Sequence, residues 1–192
     1  MATIFQEHLL RWPLIAALDL QPGQRILDIG CGTGALDLLL HNSAPDLLVV
    51  GLDIDPAILA IAQRKVVRRG TPLSLSLASA DGLPYASDSF EHVLSSLMLH
   101  HLTTAQKQRM LEEARRVLRP GNMLSILDFG PPRPSWLAAL LATLAAGFEH
   151  VDDNFYGRVP TLLTQAGFAD VQVRDIAFGG LIKLYQGRKP AG

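Results

Sequence analysis

The sequence predicts an α/β fold: a doubly wound, Rossmann-like sheet of seven strands, mostly parallel, with an antiparallel hairpin at its carboxyl end. Three observations carry this. Short apolar runs alternate with helical patterns from Arg25 to Phe129, which calls for parallel strands joined by crossovers. The first run ends in a glycine-rich turn, Gly30-Cys31-Gly32-Thr33-Gly34, where an open α/β sheet meets its ligands. The two closing runs have only Ala177 to Gly180 between them, too short for a parallel crossover, so at least one of them is antiparallel.

Ile4 to Leu18 has helical apolar spacing (Phe5, Leu9, Trp12, Ala16), interrupted by Pro13 and closed by Gln21-Pro22-Gly23. Arg25 to Ile29 suits a buried strand, and Ala35 to His41 a short helix stopped at Asn42 to Pro45. Leu47 to Leu52 is a second strand. Asp55-Pro56 supplies an N-cap and first helical residue for a helix that buries Ile58, Leu59, Ala62 and Val66. Leu73 to Ala80 and Phe90 to Leu97 read as the third and fourth strands. Thr103 to Leu118 is the clearest helix: Thr103 and Gln106 form a capping box, and Met110, Leu111, Ala114, Val117 and Leu118 share a stripe. Asn122 to Phe129 follows as a strand. Helices over 135–149 and 155–166, then strands near 171–176 and 181–186, complete the chain.

The 192 residues fit one domain over 1–192: an N-terminal helical segment (1–24), a ligand-binding core (25–129) and C-terminal helices with a hairpin (130–192). Seventeen basic against eighteen acidic residues leave a net charge of −1, with no basic stripe, so no nucleic-acid partner is expected. One cysteine, Cys31, excludes an internal disulfide framework and reads as a small packing residue. Glu7, His8, Arg11 and Asp19 do not suit a signal peptide. No apolar stretch reaches the roughly 20 residues that span a bilayer, so no transmembrane segment and a cytoplasmic location are expected. The helix over 135–148, apolar nearly all round, must bury itself in the core, in a homodimer contact, in the wall of an acceptor pocket or against a membrane-derived substrate.

The chemistry concentrates around the glycine-rich turn. Asp53 closes the second strand, where a carboxylate can accept from both hydroxyls of a ribose. Glycines and this acid alone leave two ligands open, a dinucleotide or another adenosyl cofactor. Asp28, two residues before Gly30, favours a cationic or zwitterionic ligand over a pyrophosphate, and Asp81-Gly82 supplies a second acid after the third strand.

On these segments (LDIGCGTG at 27–34, VVGLDIDPAILAIAQRK at 49–65, ASADGLPYASDSFEHVLSSLMLHHL at 78–102, EEARRVLRPGNMLSILDF at 112–129 and AGF at 166–168) the sequence resembles the class I S-adenosylmethionine-dependent methyltransferases, in the branch that includes quinone-biosynthesis C-methyltransferases and many natural-product enzymes. The resemblance implies S-adenosyl-L-methionine as cofactor. Gly30 and Gly32 would line its amino-acid moiety with Asp28 nearby, Asp53 would bind the ribose and Ile54 pack on the adenine. Asp81 would accept from the adenine amino group beside Gly82, with Ser96 and Leu97 near the transferred methyl. Asn122 departs from the family's usual second glycine. The implied activity is methyl transfer to a small, largely apolar acceptor, and no resident metal is expected.

His101, and less so His100, follows the fourth strand on the ligand side of the sheet, where an imidazole can take a proton from the acceptor. The bland reading is a loop histidine bonded to backbone. Glu112, Glu113, Arg115 and Arg116 read as a solvated helix face with a Glu112–Arg116 pair. Two rival functions remain at this stage: a nicotinamide-dependent oxidoreductase, which lacks a Tyr-x-x-x-Lys pair here, and a non-catalytic binding module that keeps the cofactor fold.

Overall fold

The computed structural model describes residues 10–133 and 150–191. Seven strands are present among them: β1 Arg25–Ile29, β2 Leu48–Asp53, β3 Ser74–Leu77, β4 Phe90–Ser96, β5 Leu118–Phe129, β6 Ala169–Ala177 and β7 Ile182–Arg188. They form one sheet in the order β3-β2-β1-β4-β5-β7-β6. Strands β1 to β5 pair in parallel, and β7 inserts between β5 and β6, antiparallel to both. The chain winds from β1 outward to β3, then crosses back to place β4 on β1's other side. That reversal makes the β1–β4 boundary the switch point, and the crevice of such a sheet opens at the carboxyl ends of these strands. The predicted fold class is the observed one.

Successive residues of each strand face opposite layers, so adjacent apolar residues feed two cores. Leu27, Val93 and Ile126 pack under α3 (Thr104–Val117) and α5 (Val159–Gln165). Ile26, Leu94 and Leu127 pack on the other face, with Leu36 and Leu40 of α1 (Ala35–Ser43) and with Leu14 and Ile15. The helix α2 (Pro56–Arg69) starts as its sequence requires: Asp55 Oδ1 accepts from the amides of Ala57 (2.8 Å) and Ile58 (3.3 Å), and Pro56 needs no partner. Thr103 and Gln106 form the expected capping box of α3.

Four expectations are corrected. The helical residues 10–16 run through Pro13, and they bury Leu14 and Ile15 while Trp12 is 55% exposed. The segment carries two apolar stripes, and packing against Leu94 and Leu184 selects the one with Leu10 and Leu18. The helix expected over 155–166 is two short pieces, α4 (Asp152–Phe155) and α5, because Gly157 turns left-handed (φ 68°) and Pro160 restarts the helix. Arg116 pairs with Glu113, not Glu112, and donates to the carbonyls of Leu83 (3.0 Å) and Tyr85 (2.7 Å). The pair therefore pins the loop after β3 to α3 instead of facing solvent. Strand β3 is shorter than Leu73 to Ala80, since the chain turns away at Ala78 to form the crevice wall. The apolar helix over 135–149, with its proposed burial, lies outside the described residues. Among the described residues no helix is long and apolar enough to cross a membrane.

Gly51 in β2 is buried where a branched residue would be usual. A Cβ there would stand 2.6 Å from Asp37 Oδ2 and 2.9 Å from Cys31 Sγ. Gly51→Ala is therefore expected to cost about 1–3 kcal/mol by overpacking, read as a lower midpoint in urea unfolding. A midpoint at or above the parent value would show that Asp37 moves aside freely.

Candidate functional site

The turn after β1 is held in one shape by its own backbone. Gly30, Gly32 and Gly34 all have positive φ (74°, 56° and 72°), a region costly to side chains. The amides of Gly30 and Cys31 both donate to Leu52 O, at 2.7 and 2.9 Å, tying the turn to β2. The two leading glycines differ in kind. A Cβ on Gly30 would fall 2.3 Å from Met98 Cγ, whereas one on Gly32 would meet nothing within 4 Å. Gly30 packs on Met98 at the crevice wall, whereas the space beside Gly32 holds no atom of the described residues.

Asp53, the last residue of β2, links three elements. Its Oδ2 accepts from the Gly32 amide (2.9 Å) and its Oδ1 from the Asp55 amide (3.0 Å). A carboxylate has about four acceptor sites, so capacity remains for a vicinal diol. Ile54 beside it is 69% exposed, an apolar flank with nothing on it. Across the crevice, Asp81 is bonded by Ser79 Oγ and by Arg109 (Nη2, 3.2 Å). The Ser79 bond, and then Arg109, hold its carboxyl below the usual range, so it stays an acceptor. Gly82 follows, exposed, its amide on Ser79 O.

The structure brings Gly30, Asp53, Ile54 and Asp81 to one crevice. Beyond the segment around Ala78 to Ala80, sequence reading missed Met98, Leu102 and Gln106, which also line it. Their types carry no signal; the turn that follows β4 places Met98 and Leu102, and the first turn of α3 places Gln106. Asp28 is placed differently. Its carboxyl is buried behind the turn beside Asp37, and burial pushes it up to about 7 against the opposing pull of Arg11. Burial and the neighbouring Asp28 raise Asp37 as well, so the pair retains a proton near neutrality. Cys31 is buried, its thiol pushed far up by the same surroundings, which fits a packing role.

A folded pKa raised above the unfolded one means that the native state binds the extra proton. That contribution to stability is complete below the ordinary carboxylate range near 3.8 and is lost as pH rises through about 7. Asp28→Asn is thus expected to melt higher relative to the parent as pH increases from 5 to about 8. Parallel melting curves across that range would remove the shared proton.

Strand β4 ends in strain. Leu97 has φ 56° and its amide donates to Leu127 O at 2.8 Å, while the buried hydroxyl of Ser96 has no hydrogen-bond partner among the described residues. A 3-10 turn, Leu99–His101, then points its two imidazoles differently. His100 is buried and its Nδ1 lies 2.9 Å from Asp128 Oδ1. His101 is exposed, its ring centroid 4.0 Å from that of His100. Partial burial, and then His100, hold His101 below the ordinary histidine value, so it is a free base at neutral pH. Phe129 sets its edge on His100 at 4.7 Å, and Phe155 follows at 6.3 Å. Asn122, in place of the family's second glycine, needs no left-handed backbone; Gly121 takes the positive φ of 80°. Among the described residues no group of three or more His, Cys, Asp or Glu could hold a metal ion.

The open Gly32 cradle, the unfilled acceptor sites of Asp53, the bare Ile54 flank and the ionised Asp81 fit an adenosyl cofactor bearing a zwitterionic tail. Residues 26–121 match the family described as "Methyltransferase domain". A demethylmenaquinone methyltransferase of Thermus thermophilus is 40% identical over 126 residues, 64% of this chain and 56% of that protein. The chain thus spans little more than half of that relative. A ubiquinone/menaquinone biosynthesis C-methyltransferase of Syntrophotalea carbinolica is 30% identical over 92% of this chain and 82% of its own length. Among solved structures, a Haemonchus contortus phosphoethanolamine N-methyltransferase 2 with S-adenosylhomocysteine shares the fold at a TM-score of 0.79, 18% identity, and coverage of 95% of this chain and 52% of that one. The nicotinamide reading of the glycine turn is set aside by these matches. The chain belongs to the class I S-adenosylmethionine-dependent methyltransferases, in their quinone-biosynthesis-like branch.

Proposed function

We propose that the chain methylates a ring carbon of a small, largely apolar hydroquinone. The observation that carries this reading is the run of rings from exposed His101 through His100 and Phe129 to Phe155, beside the strained end of β4. It offers a flat aromatic acceptor stacking partners and one free base. The names of the quinone-biosynthesis relatives agree with it. S-adenosylmethionine supplies an electrophilic methyl on a sulfonium, and the carbon–methyl bond forms as the methyl–sulfur bond breaks.

Each residue then has a task. Gly30 and Gly32 admit the amino-acid moiety, with Asp28 behind them. Asp53 binds the ribose, Ile54 flanks the adenine, and Asp81 with Gly82 receives the adenine amino group. Ser96 and Leu97 border the methyl. His101 takes the phenolic proton, which drives electron density onto the ring carbon. That carbon's own hydrogen afterwards leaves as a proton while the hydroxyl is restored.

The test is transfer of isotope-labelled methyl from S-adenosylmethionine to a prenylated 1,4-naphthohydroquinone, with 1-naphthylamine as comparison. Ring-methylated product from the hydroquinone alone is expected; methylation only of the amine would reject the reading. Asp53→Ala should weaken cofactor affinity by about ten- to a hundredfold, because charge-assisted bonds at about 1.5–3 kcal/mol each are partly replaced by water. Calorimetric affinity within twofold of the parent would take Asp53 out of the site.

A further inference from the structure

Behind the exposed His101 lies a buried polar assembly that the cofactor site does not use. His100 is fixed through Nδ1 by Asp128 Oδ1 at 2.9 Å. Asp128, near the end of β5, is wholly buried, and the same oxygen also accepts from the Phe129 amide (2.7 Å) and from Asn154 Nδ2 (3.3 Å). Asn154, in α4, is equally buried and donates as well to Phe129 O at 3.1 Å. Three segments distant in sequence thus converge on one carboxylate oxygen. Asp128 Oδ2 and Asn154 Oδ1 remain buried with no hydrogen-bond partner among the described residues.

Such an arrangement is a poor way to gain stability. A buried ion or amide left half satisfied is outdone by apolar residues of the same volume. What it does provide is a fixed ring. With Nδ1 held by Asp128 and the Phe129 ring packed edgewise against it, the His100 imidazole has one orientation, and the ring of His101 leans on it at an interplanar angle of 41°. His101 is exposed and its ring has no hydrogen-bond partner among the described residues, so the His100 ring is the described surface that sets its direction.

We propose that Asp128, His100 and Asn154 are positioning residues that aim the His101 imidazole at the acceptor's hydroxyl. This rests on the hydroquinone reading above. Among the described residues the titratable side chains that act on His101 are His100, on its own turn, and Asp128, from β5. Lys107 of α3 and Asp153 of α4, the neighbour of Asn154 in sequence, are paired with each other at 3.2 Å. His100 pulls the His101 titration down and Asp128 pulls it up. Their removal must therefore displace it in opposite directions.

The experiment measures kcat and KM across pH for the parent, Asp128→Asn and His100→Gln, with prenylated 1,4-naphthohydroquinone as acceptor. Misaiming a base by about 1 Å costs on the order of 10²-fold, so both variants should lose about that factor in kcat with the cofactor KM unchanged. The acid limb of the profile should move to lower pH in Asp128→Asn and to higher pH in His100→Gln. A purely structural pair would lower the melting temperature and leave the limb in place; that result overturns the proposal, as does an unchanged kcat. Should Asp128→Asn fail to fold, the limb of His100→Gln decides alone. A parent enzyme that transfers no methyl to the hydroquinone sinks the functional reading and this inference together, a failure distinct from active parent and indifferent variants.

Discussion

Gly32→Val is expected to abolish cofactor binding while the protein still folds. The position has φ 56°, and its amide donates to Asp53 Oδ2. A Cβ there touches no protein atom within 4 Å, so the added side chain intrudes on ligand space, not on the core. A left-handed β-branched residue costs about 1–2 kcal/mol, small beside the loss of the cradle itself. Calorimetry should show affinity reduced at least a hundredfold, or about 2.8 kcal/mol, with a cooperative melt retained. Gly30→Ala is the informative contrast. Its Cβ would overlap Met98 at 2.3 Å, so that variant should lose stability first. Parent-like affinity in Gly32→Val would show that the ligand does not approach this amide.

His101→Ala is expected to slow methyl transfer by about 10²–10⁴-fold, the usual worth of a positioned proton acceptor, with cofactor affinity little changed. The sign of the pH effect follows from the titration of the ring. Held below the ordinary histidine value, His101 is unprotonated and competent at neutral pH. The parent rate should be level there and fall as pH drops through that lowered value, because imidazolium cannot accept a proton. The variant should lack this limb. Single-turnover kinetics with the hydroquinone probe read both quantities, and a variant with the parent's rate and profile would return His101 to a loop-packing role.

What could be read from the chain beforehand was whatever neighbours in sequence decide. Asp55 caps the helix it precedes, Thr103 and Gln106 cap theirs, and the three glycines adopt the conformations that only glycine takes cheaply. Asp53 was legible because it ends β2 at the crevice, and Asp81 because it opens an acid–glycine turn in the loop after β3. The His100–Asp128–Asn154 assembly was not, since its members lie 28 and 26 residues apart and meet only when β4, β5 and α4 pack. The same holds for Asp37, an acid in a leucine-rich helix whose burial against Asp28 no local pattern announces. The N-terminal stripe failed for a related reason: two apolar faces were available, and the core's shape chose Leu14 and Ile15.

The position of β7 has a consequence for how the polypeptide becomes a protein. Strand β5 pairs with β4 on one side and with Ile182–Arg188 on the other, so its second edge stays bare until the last strand is made. During synthesis, β1 to β4 can assemble from contacts already present. The long edge of β5, whose residues 124 to 128 are buried in the finished sheet, must wait for a segment more than 50 residues downstream. Pairing across that distance is slow, and an open apolar edge invites other chains. Any ribosomal pause or truncation before Ile182 would therefore yield a half-sheet prone to aggregate, and the nascent chain's need for chaperones should peak between the emergence of β5 and that of β7.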